Sequence, residues 1–189
     1  MTVAGIVLAA GAGRRFASTG GEGPKQRALV DGEPMVRRVL RTVEAAGLDE
    51  VVLVEGAVDL SAWAGSATRV ANPRWAEGLA TSLRAALAHA RARGHDAIVV
   101  GLSDQPGVLT SAWTAIAAAP TQPPIAVATY DGRRGNPVRL HEAVWDQLPT
   151  VGDEGARSLM RARPDLVREV PCAGEPDDID TMEDLDRWS

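Results

Sequence analysis

The chain of 189 residues has a formal net charge of −5 and a single cysteine, Cys172. One cysteine excludes an internal disulfide and is typical of a reducing compartment. The acidic balance is opposite to the basic surface of a general nucleic-acid binder. No apolar run approaches the ~20 residues that cross a bilayer. The charges Arg14 and Arg15 follow the apolar run 3–12, whereas in a secretory signal they would precede it. We therefore expect one cytoplasmic domain over residues 1–189, with no nucleic-acid or membrane partner.

Apolar strands alternate with amphipathic helices along the chain. The hydrophobic pattern predicts strands at 2–8, 51–54, 68–71, 97–102, 125–129, 137–140 and 166–170. It predicts a glycine-rich loop at 9–24, helices at 34–46, 59–63, 79–93, 142–148 and 154–163, a helix that Thr110 caps, and a last helix with a Thr181/Asp184 capping box. Fully apolar strands between such helices indicate a sheet covered on both faces. The predicted fold class is α/β, a Rossmann-like three-layer domain with a mostly parallel sheet and room for a β-hairpin excursion around 125–140.

The first strand leads into a glycine-rich loop, Leu8-Ala9-Ala10-Gly11-Ala12-Gly13. Glycines let the backbone approach a ligand closely, and free amides there attract anions. A dinucleotide fingerprint would need glycine in place of Phe16, and a P-loop would need Gly-Lys-Ser/Thr where the chain has Pro24-Lys25-Gln26. Lys25 is the one lysine among 20 basic residues. Together with Arg15 and Lys25, the loop favours nucleotide binding over an ordinary strand exit.

Two aspartates occupy positions that can face a ligand, and Asp104 is the candidate metal ligand of the two. Asp104 closely follows the apolar strand 97–102, so its carboxylate is expected at the ligand-binding edge of the sheet; the alternative is a cap for the next turn. Asp180 precedes Thr181 in an acidic tail, where the alternative is a solvated helix terminus. Mg²⁺ is commonly held by one or two carboxylates together with substrate phosphates. Ser82, in the first turn of helix 79–93, is a candidate for contacting a ribose or phosphate, with simple capping as the alternative.

Other reactive or aromatic side chains show no motif. His89, His95 and His141 lack the spacing of metal ligands, and Cys172 has no base beside it in sequence. With one Phe and one Tyr in the chain, the tryptophans are predicted to pack in the interior; they are Trp63, Trp75, Trp113, Trp145 and Trp188.

Six short segments between residues 8 and 184 form an ordered set. They are Leu8-Ala9-Ala10-Gly11 with Arg15 and a downstream lysine, Asn72-Pro73-Arg74-Trp75-Ala76-Glu77-Gly78 with Ser82-Leu83, Leu102-Ser103-Asp104-Gln105-Pro106, Gly135-Asn136-Pro137, Gly152-Asp153-Glu154-Gly155-Ala156-Arg157, and Asp178-Ile179-Asp180-Thr181 with Glu183-Asp184. This set resembles the molybdenum cofactor guanylyl- and cytidylyltransferases, and is most similar to the cytidylyltransferase branch. The chain departs from the family pattern in the longer spacing between Arg15 and Lys25.

The resemblance implies a Mg²⁺-dependent nucleotidyltransferase that transfers CMP from CTP to the phosphate of molybdopterin and passes its product to a molybdoenzyme. It implies that Arg15 and Lys25 hold the triphosphate and that Asp104 and Asp180 hold the metal, with Asp178 in reserve. The further contacts that it implies to nucleotide and acceptor are Leu8, Ala9, Ala10, Gly11, Gly13, Gly78, Ser82, Asn136, Asp153 and Arg157. In the same comparison, alanine at position 10 indicates cytidine instead of guanosine.

Two alternative functions remain open from the sequence. A sister transferase acting on another phosphate acceptor, such as a sugar phosphate, would have the same glycine loop and metal residues. A non-catalytic protein that binds a nucleotide or cofactor and delivers it to a partner enzyme would share the same nucleotide-binding loop.

A phosphate monoester has its second pKa near ~6 and is largely dianionic at neutral pH, so a transferase with a phosphate acceptor needs no general base.

Overall fold

The structure, a computed structural model, describes residues 1–188. Its strands are β1 (Val3–Leu8), β2 (Leu29–Val30), β3 (Glu33–Pro34), β4 (Glu50–Glu55), β5 (Thr68–Ala71), β6 (Ala97–Leu102), β7 (Ile125–Tyr130), β8 (Arg133–His141) and β9 (Val167–Pro171). Its α-helices are α1 (Arg14–Ser18), α2 (Met35–Glu44), α3 (Leu79–Arg93), α4 (Thr110–Ala118), α5 (Arg157–Ala162) and α6 (Met182–Asp186). All the predicted strands are present, and β8 is longer than predicted because its pairing with β7 extends to the turn.

Seven strands form the main sheet in the order β5-β4-β1-β6-β8-β7-β9. Strand β8 is antiparallel to both neighbours, pairing Ala97 with His141 on one side and Tyr130 with Arg133 on the other, while the other neighbours pair in parallel. The predicted mostly parallel sheet is confirmed. The hairpin of β7 and β8 is also present, but it lies within the sheet instead of leaving it. The central strands β1 and β6 end together at one edge of the sheet.

The sheet is covered by helices on both faces, which confirms the three-layer α/β fold. Alternate side chains of β1 point to opposite faces, as a strand requires. Val7 packs on the side of α2 and α4 with Trp113, and Ile6 packs on the side of α3 and α5 with Leu83 and Trp145. Trp113 and Trp145 are each 1% exposed, so the interior packing predicted for these two tryptophans is confirmed.

Four helices differ from the prediction. The segment expected as a helix at 59–63 is a short 3-10 helix, Ser61–Trp63. The segment expected as a helix at 142–148 is a 3-10 helix, Glu142–Gln147. Helix α5 begins at Arg157 because Gly155, with φ of 52°, has a left-handed conformation that a helix cannot contain. Helix α4 has no side-chain cap, so the capping role predicted for Thr110 is wrong. Among residues 1–188, no helix is long and apolar enough to cross a membrane.

A small third cluster joins the glycine-rich loop to the C-terminal segment. Phe16 of α1 is buried with Val30, Met35, Ile179 and Leu185. The sequence analysis predicted a loop over the whole of 9–24 and missed α1, because a helix of five residues is too short to show helical periodicity of apolar residues. This packing holds the two chain segments that carry Arg15 and Asp180 next to each other.

Candidate active site

A cavity of about 490 Å³ opens at the sheet edge where β1 and β6 end. Most of the residues singled out in the sequence line it; they are Leu8, Ala9, Ala10, Gly11, Gly13, Arg15, Lys25, Gly78, Ser82, Asp104, Asp153 and Asp180. Asn136 and Arg157 do not, because they line a second cavity beside the first. The fold therefore brings the residues expected at nucleotide and metal into one cavity and places these other two next to it.

Lys25 lies between two carboxylates in the first cavity. Its ammonium donates hydrogen bonds to Asp104 Oδ2 and Asp180 Oδ1, both at 2.7 Å, and its side chain is 10% exposed. Burial by itself would lower the pKa of Lys25, but the charges and hydrogen bonds of Asp104 and Asp180 outweigh it and raise the pKa. Arg15 Nη1 donates to Asp180 Oδ2 at 2.5 Å from an exposed position. One buried and one exposed cation thus meet at Asp180, and the buried cation also binds Asp104.

The carboxylates have the chemistry of a divalent cation site. Asp104 Oδ1 is buried and has no hydrogen-bond partner among residues 1–188, and such an oxygen is a free ligand position. Burial, followed by the negative charges of Asp104 and Asp180, raises the pKa of Asp178. Within residues 1–188, no group of three or more His, Cys, Asp or Glu side chains is arranged to hold a metal. A divalent cation held here by Asp104 and Asp180 would need further oxygen ligands, such as phosphate oxygens of a substrate.

The position of Asp180 is set by the start of α6. Asp184 Oδ2 accepts hydrogen bonds from the backbone amides of Asp180 at 3.1 Å and Thr181 at 2.9 Å, and Thr181 Oγ1 accepts one from the Asp184 amide at 3.2 Å. This confirms the predicted capping box. The Ile179 amide donates to the Asp104 carbonyl at 2.9 Å, which fixes the tail directly beside the end of β6.

The glycine-rich loop is shaped by its contacts with the segment that carries Lys25. Gly13 has φ of 63°, and a Cβ there would lie 2.8 Å from the Cβ of Lys25, so only glycine allows this approach. The buried amide Nε2 of Gln26 donates to the carbonyls of Ala9 at 3.0 Å and Gly11 at 2.6 Å. The sequence analysis missed this positioning role of Gln26; the available signal was a polar residue directly after Lys25.

The start of α3 forms the opposite wall of the cavity. Gly78 has φ of 109°, and a Cβ there would lie 2.6 Å from the carbonyl of Gly152. Asp153 Oδ1 accepts a hydrogen bond from the first amide of α3 at 3.3 Å, so its loop is held against this helix. Ser82 is buried, and its Oγ accepts from Asn72 Nδ2 at 3.0 Å. The segments that contain Asn72, Gly78 and Asp153 are therefore joined into a single wall.

Trp75 also lines this cavity and is only half-buried, so the interior packing role predicted for it is wrong. It lies beside the glycine-rich loop: a Cβ added to Gly56 would be 2.7 Å from Trp75 Cβ and 2.9 Å from the Ala10 carbonyl. The signal that could have found Trp75 is its place in the Asn72–Gly78 segment, which contributes to the same wall.

The second cavity, of about 320 Å³, adjoins the first and shares Leu8, Leu79 and Leu102 with it. Strands β6, β7 and β8 form its floor, and α3 and α5 form its walls. Asn136 and Arg157 line it. A ligand in this cavity would lie next to a nucleotide in the first one.

A three-layer α/β fold whose parallel strands end at a cavity lined by both cations and carboxylates is typical of the nucleotidyltransferase class. Residues 5–168 match the model of the MobA-like NTP transferase domain. The chain belongs to this family of nucleotidyltransferases, and the resemblance drawn from the six segments is confirmed at the level of the family.

The chain is also similar to curated relatives and to solved structures over nearly its whole length. The chain is 32% identical over 200 residues to "Nicotine blue oxidoreductase" of Paenarthrobacter nicotinovorans, covering 98% of this chain and 95% of that protein. It is 30% identical to "Purine catabolism protein PucB" of Bacillus subtilis (strain 168), covering 96% and 93%. Rv0371c from Mycobacterium tuberculosis H37Rv has a TM-score of 0.81 at 29% identity, covering 99% and 97%; a manganese complex of it has 0.79 at 27%, covering 100% and 98%.

Proposed function

We propose that this protein is a Mg²⁺-dependent nucleotidyltransferase, acting as a single cytoplasmic domain, that transfers CMP from CTP to the phosphate of a molybdopterin-type acceptor. A molybdoenzyme that receives the product is part of the proposal. The observation that supports it most is the arrangement of Lys25 with Asp104 and Asp180, in which a buried cation and two carboxylates face a cavity at the ends of β1 and β6.

The reaction requires negative charge to be neutralised around the α-phosphorus. An oxygen of the acceptor phosphate attacks this atom, the bond to the bridging oxygen of the β-phosphate breaks, and pyrophosphate leaves with the electron pair. Bound Mg²⁺ would supply Lewis-acid stabilisation of the phosphate oxygens. Arg15 and Lys25 would bind the triphosphate, while Asp104 and Asp180 would hold the metal.

The glycine-rich loop supports the choice of CTP in this proposal. Ala10 is 5% exposed, and its carbonyl accepts a hydrogen bond from the Ala57 amide at 3.0 Å, so its methyl group stands on a fixed backbone. A methyl in a slot lined by backbone leaves less room for a purine than a glycine would. We expect the smaller pyrimidine to be preferred.

Pyrophosphate release, measured with each nucleoside triphosphate and with molybdopterin or a sugar phosphate as acceptor, tests the proposal. In Asp104→Asn we expect turnover to fall by about 10²-fold or more, equivalent to about 3 kcal/mol of barrier, with the fold retained. The matched control is Asp165→Asn, an exposed carboxylate paired with Arg163 away from both cavities. Near-normal turnover of a folded Asp104→Asn protein would contradict the metal role.

The name of the relative from Paenarthrobacter makes a redox reaction the competing hypothesis. Phe16 argues against binding of a dinucleotide at the first turn. It occupies the position of the third glycine in the dinucleotide-binding fingerprint, and its side chain is buried in the third cluster. Oxidation of NADH by the same preparation, without pyrophosphate release from any triphosphate and acceptor, would overturn the transferase proposal. Nucleotide binding without turnover for every pair would favour the delivery protein instead.

A further inference from the structure

We propose that Asn72 makes Ser82 a hydrogen-bond donor to the nucleobase, and that the first cavity thereby selects cytosine over uracil. The inference rests on the proposed function, because it takes CTP as the nucleotide. The methyl group of Ala10 does not explain this preference, since cytosine and uracil are nearly the same size. The two bases differ in hydrogen bonding: ring atom N3 is an acceptor in cytosine, whereas in uracil it carries a hydrogen and is a donor.

The side-chain amide of Asn72 is held in one orientation by the backbone. Asn72 is 3% exposed, and its Oδ1 accepts a hydrogen bond from the Arg74 backbone amide at 3.0 Å. The reverse orientation would place the Nδ2 donor against this N–H donor. Nδ2 therefore faces two hydroxyls, and it donates to Thr81 Oγ1 at 2.9 Å and to Ser82 Oγ at 3.0 Å. Both hydroxyl oxygens thus accept from Asn72, and each hydroxyl keeps one hydrogen to donate.

The two hydroxyls use that hydrogen differently. Thr81 Oγ1 donates to backbone carbonyls, with Gly78 at 2.9 Å and Arg74 at 3.0 Å. Ser82 is also buried and lines the first cavity, but its hydroxyl hydrogen has no acceptor within residues 1–188. A buried donor without an acceptor is costly. A ligand that accepts from Ser82 removes this cost, whereas a ligand that donates to Ser82 leaves its hydrogen without a partner.

Ser82 lies on the wall of the cavity that we assign to the base. It follows Gly78 by about one helical turn, so both residues lie on the same face of α3. Trp75, in the segment that leads into this helix, lines the cavity and lies beside the Ala10 carbonyl. Because the proposed function places the base against Ala10, its N3 edge would lie towards Ser82. Asn72 does not line the cavity and acts through Ser82, so it is a positioning residue.

The polarity of this arrangement can be reversed at nearly constant shape. Asn72→Asp replaces the Nδ2 donor by an acceptor, so Ser82 would donate to the carboxylate and present only lone pairs to the cavity. Ser82→Ala removes the hydroxyl, and it tests the inference independently if the buried carboxylate prevents folding. Thr81→Val is the matched control, because Thr81 shares the bond with Asn72 but does not line the first cavity.

Calorimetric titration with CTP and with UTP, each with Mg²⁺ and without acceptor, measures the preference directly. We expect CTP to bind at least ten times more tightly than UTP, because a site with a fixed polar partner discriminates strongly against a mismatched group. The ratio should fall below threefold in Ser82→Ala, fall below one in Asn72→Asp, and stay within threefold of its original value in Thr81→Val.

A purely structural role of Asn72 would weaken both nucleotides by the same factor and leave their ratio unchanged. That result in a folded Asn72→Asp protein would overturn the inference. Equal binding of CTP and UTP by the unaltered protein, or an unchanged ratio in Ser82→Ala, would overturn it as well.

These titrations require no nucleotidyl transfer, so the two proposals fail separately. A protein that prefers CTP to UTP but releases no pyrophosphate with any acceptor would overturn the proposed function and leave the inference standing. Conversely, pyrophosphate release with equal kcat/KM for CTP and UTP would preserve a transferase and overturn the inference.

Discussion

Replacing Lys25 by methionine should separate the structural and the electrostatic roles of its ammonium. The substitution keeps an unbranched side chain and removes the charge that lies 2.7 Å from both Asp104 and Asp180. Removing one partner of a buried ion pair costs about 3–5 kcal/mol. Asp180 is 28% exposed, so water screens part of its charge, and we expect a loss near the lower end, about 3 kcal/mol, in the free energy of unfolding.

The same substitution should strengthen the binding of a divalent cation in the absence of nucleotide. Two unit charges 4 Å apart interact by about 4 kcal/mol at an effective dielectric constant of 20, which gives about 8 kcal/mol of repulsion between an ammonium and a dication on the same carboxylates. Movement of Lys25 out of the way relieves most of it. If a fifth of this repulsion remains after Lys25 has moved, removal of its charge increases Mn²⁺ affinity by about tenfold.

Titration of nucleotide-free protein with Mn²⁺, followed by calorimetry, measures this affinity. Arg15→Met is the matched control, since Arg15 is 80% exposed and its charge near Asp180 is screened by solvent; we expect less than about a threefold change. Because a ligand of the folded state stabilises it, saturating Mn²⁺ should also restore part of the stability that Lys25→Met loses. Mn²⁺ affinity that is unchanged or weaker in a folded Lys25→Met protein would refute the competition between ammonium and metal.

Three further predictions concern other parts of the molecule. Burial would raise the pKa of Glu50, but hydrogen bonds with two histidine rings and Thr68 outweigh it and lower the pKa to about 2. A carboxyl whose pKa is lowered by folding stabilises the fold above its unfolded pKa near 4.5, and this stabilisation is lost as the pH falls toward 2. Glu50→Gln should therefore lower the free energy of unfolding by up to about 3 kcal/mol at pH 7 in denaturant titrations, and should flatten the acid branch of the plot of stability against pH. An equally steep acid branch would contradict this. Arg139 is fully buried and donates hydrogen bonds to the Ala119 and Pro120 carbonyls after α4. Arg139→Leu should therefore lower the free energy of unfolding by about 2–4 kcal/mol in thermal unfolding, whereas Arg133→Leu, at an exposed position of the same strand, should change it by no more than about 0.5 kcal/mol. Equal effects of the two substitutions would show that the hydrogen bonds of Arg139 contribute nothing. Mg²⁺-CTP should bind more tightly than Mg²⁺-GTP in a calorimetric comparison, and equal or tighter binding of GTP would refute the reasoning from the methyl group of Ala10.

The sequence was sufficient to predict the sheet and the long helices because their signals are local. Unbroken apolar runs located β1 and β6 almost to the residue, and helical spacing located α3. Helix α1 was missed because its stability depends on Phe16 packing against Ile179, a contact between distant parts of the chain that no local pattern contains.

The candidate site was predictable as a set of residues but not as an arrangement. Asp104 could be placed from its position after β6. The sequence contained no indication that Lys25 lies between this carboxylate and Asp180. Lys25 is separated along the chain by 79 residues from Asp104 and by 155 residues from Asp180. Likewise, the sequence did not show that Asn136 of β8 and Arg157 of α5 line a second cavity, because this depends on how distant elements pack together.

The attachment of the tail to the end of β6 has a consequence for the order in which the protein matures. Strands β1 and β6, and with them Lys25 and Asp104, can come together on the ribosome before the segment with Asp180 has been synthesised. Asp180 arrives only when the Ile179 amide reaches the Asp104 carbonyl, so its carboxylate joins the cation last. A nascent chain without this segment lacks half of the carboxylate pair. The rise in thermal stability on adding Mg²⁺ and nucleotide should therefore distinguish fully folded molecules from those whose tail has not yet docked.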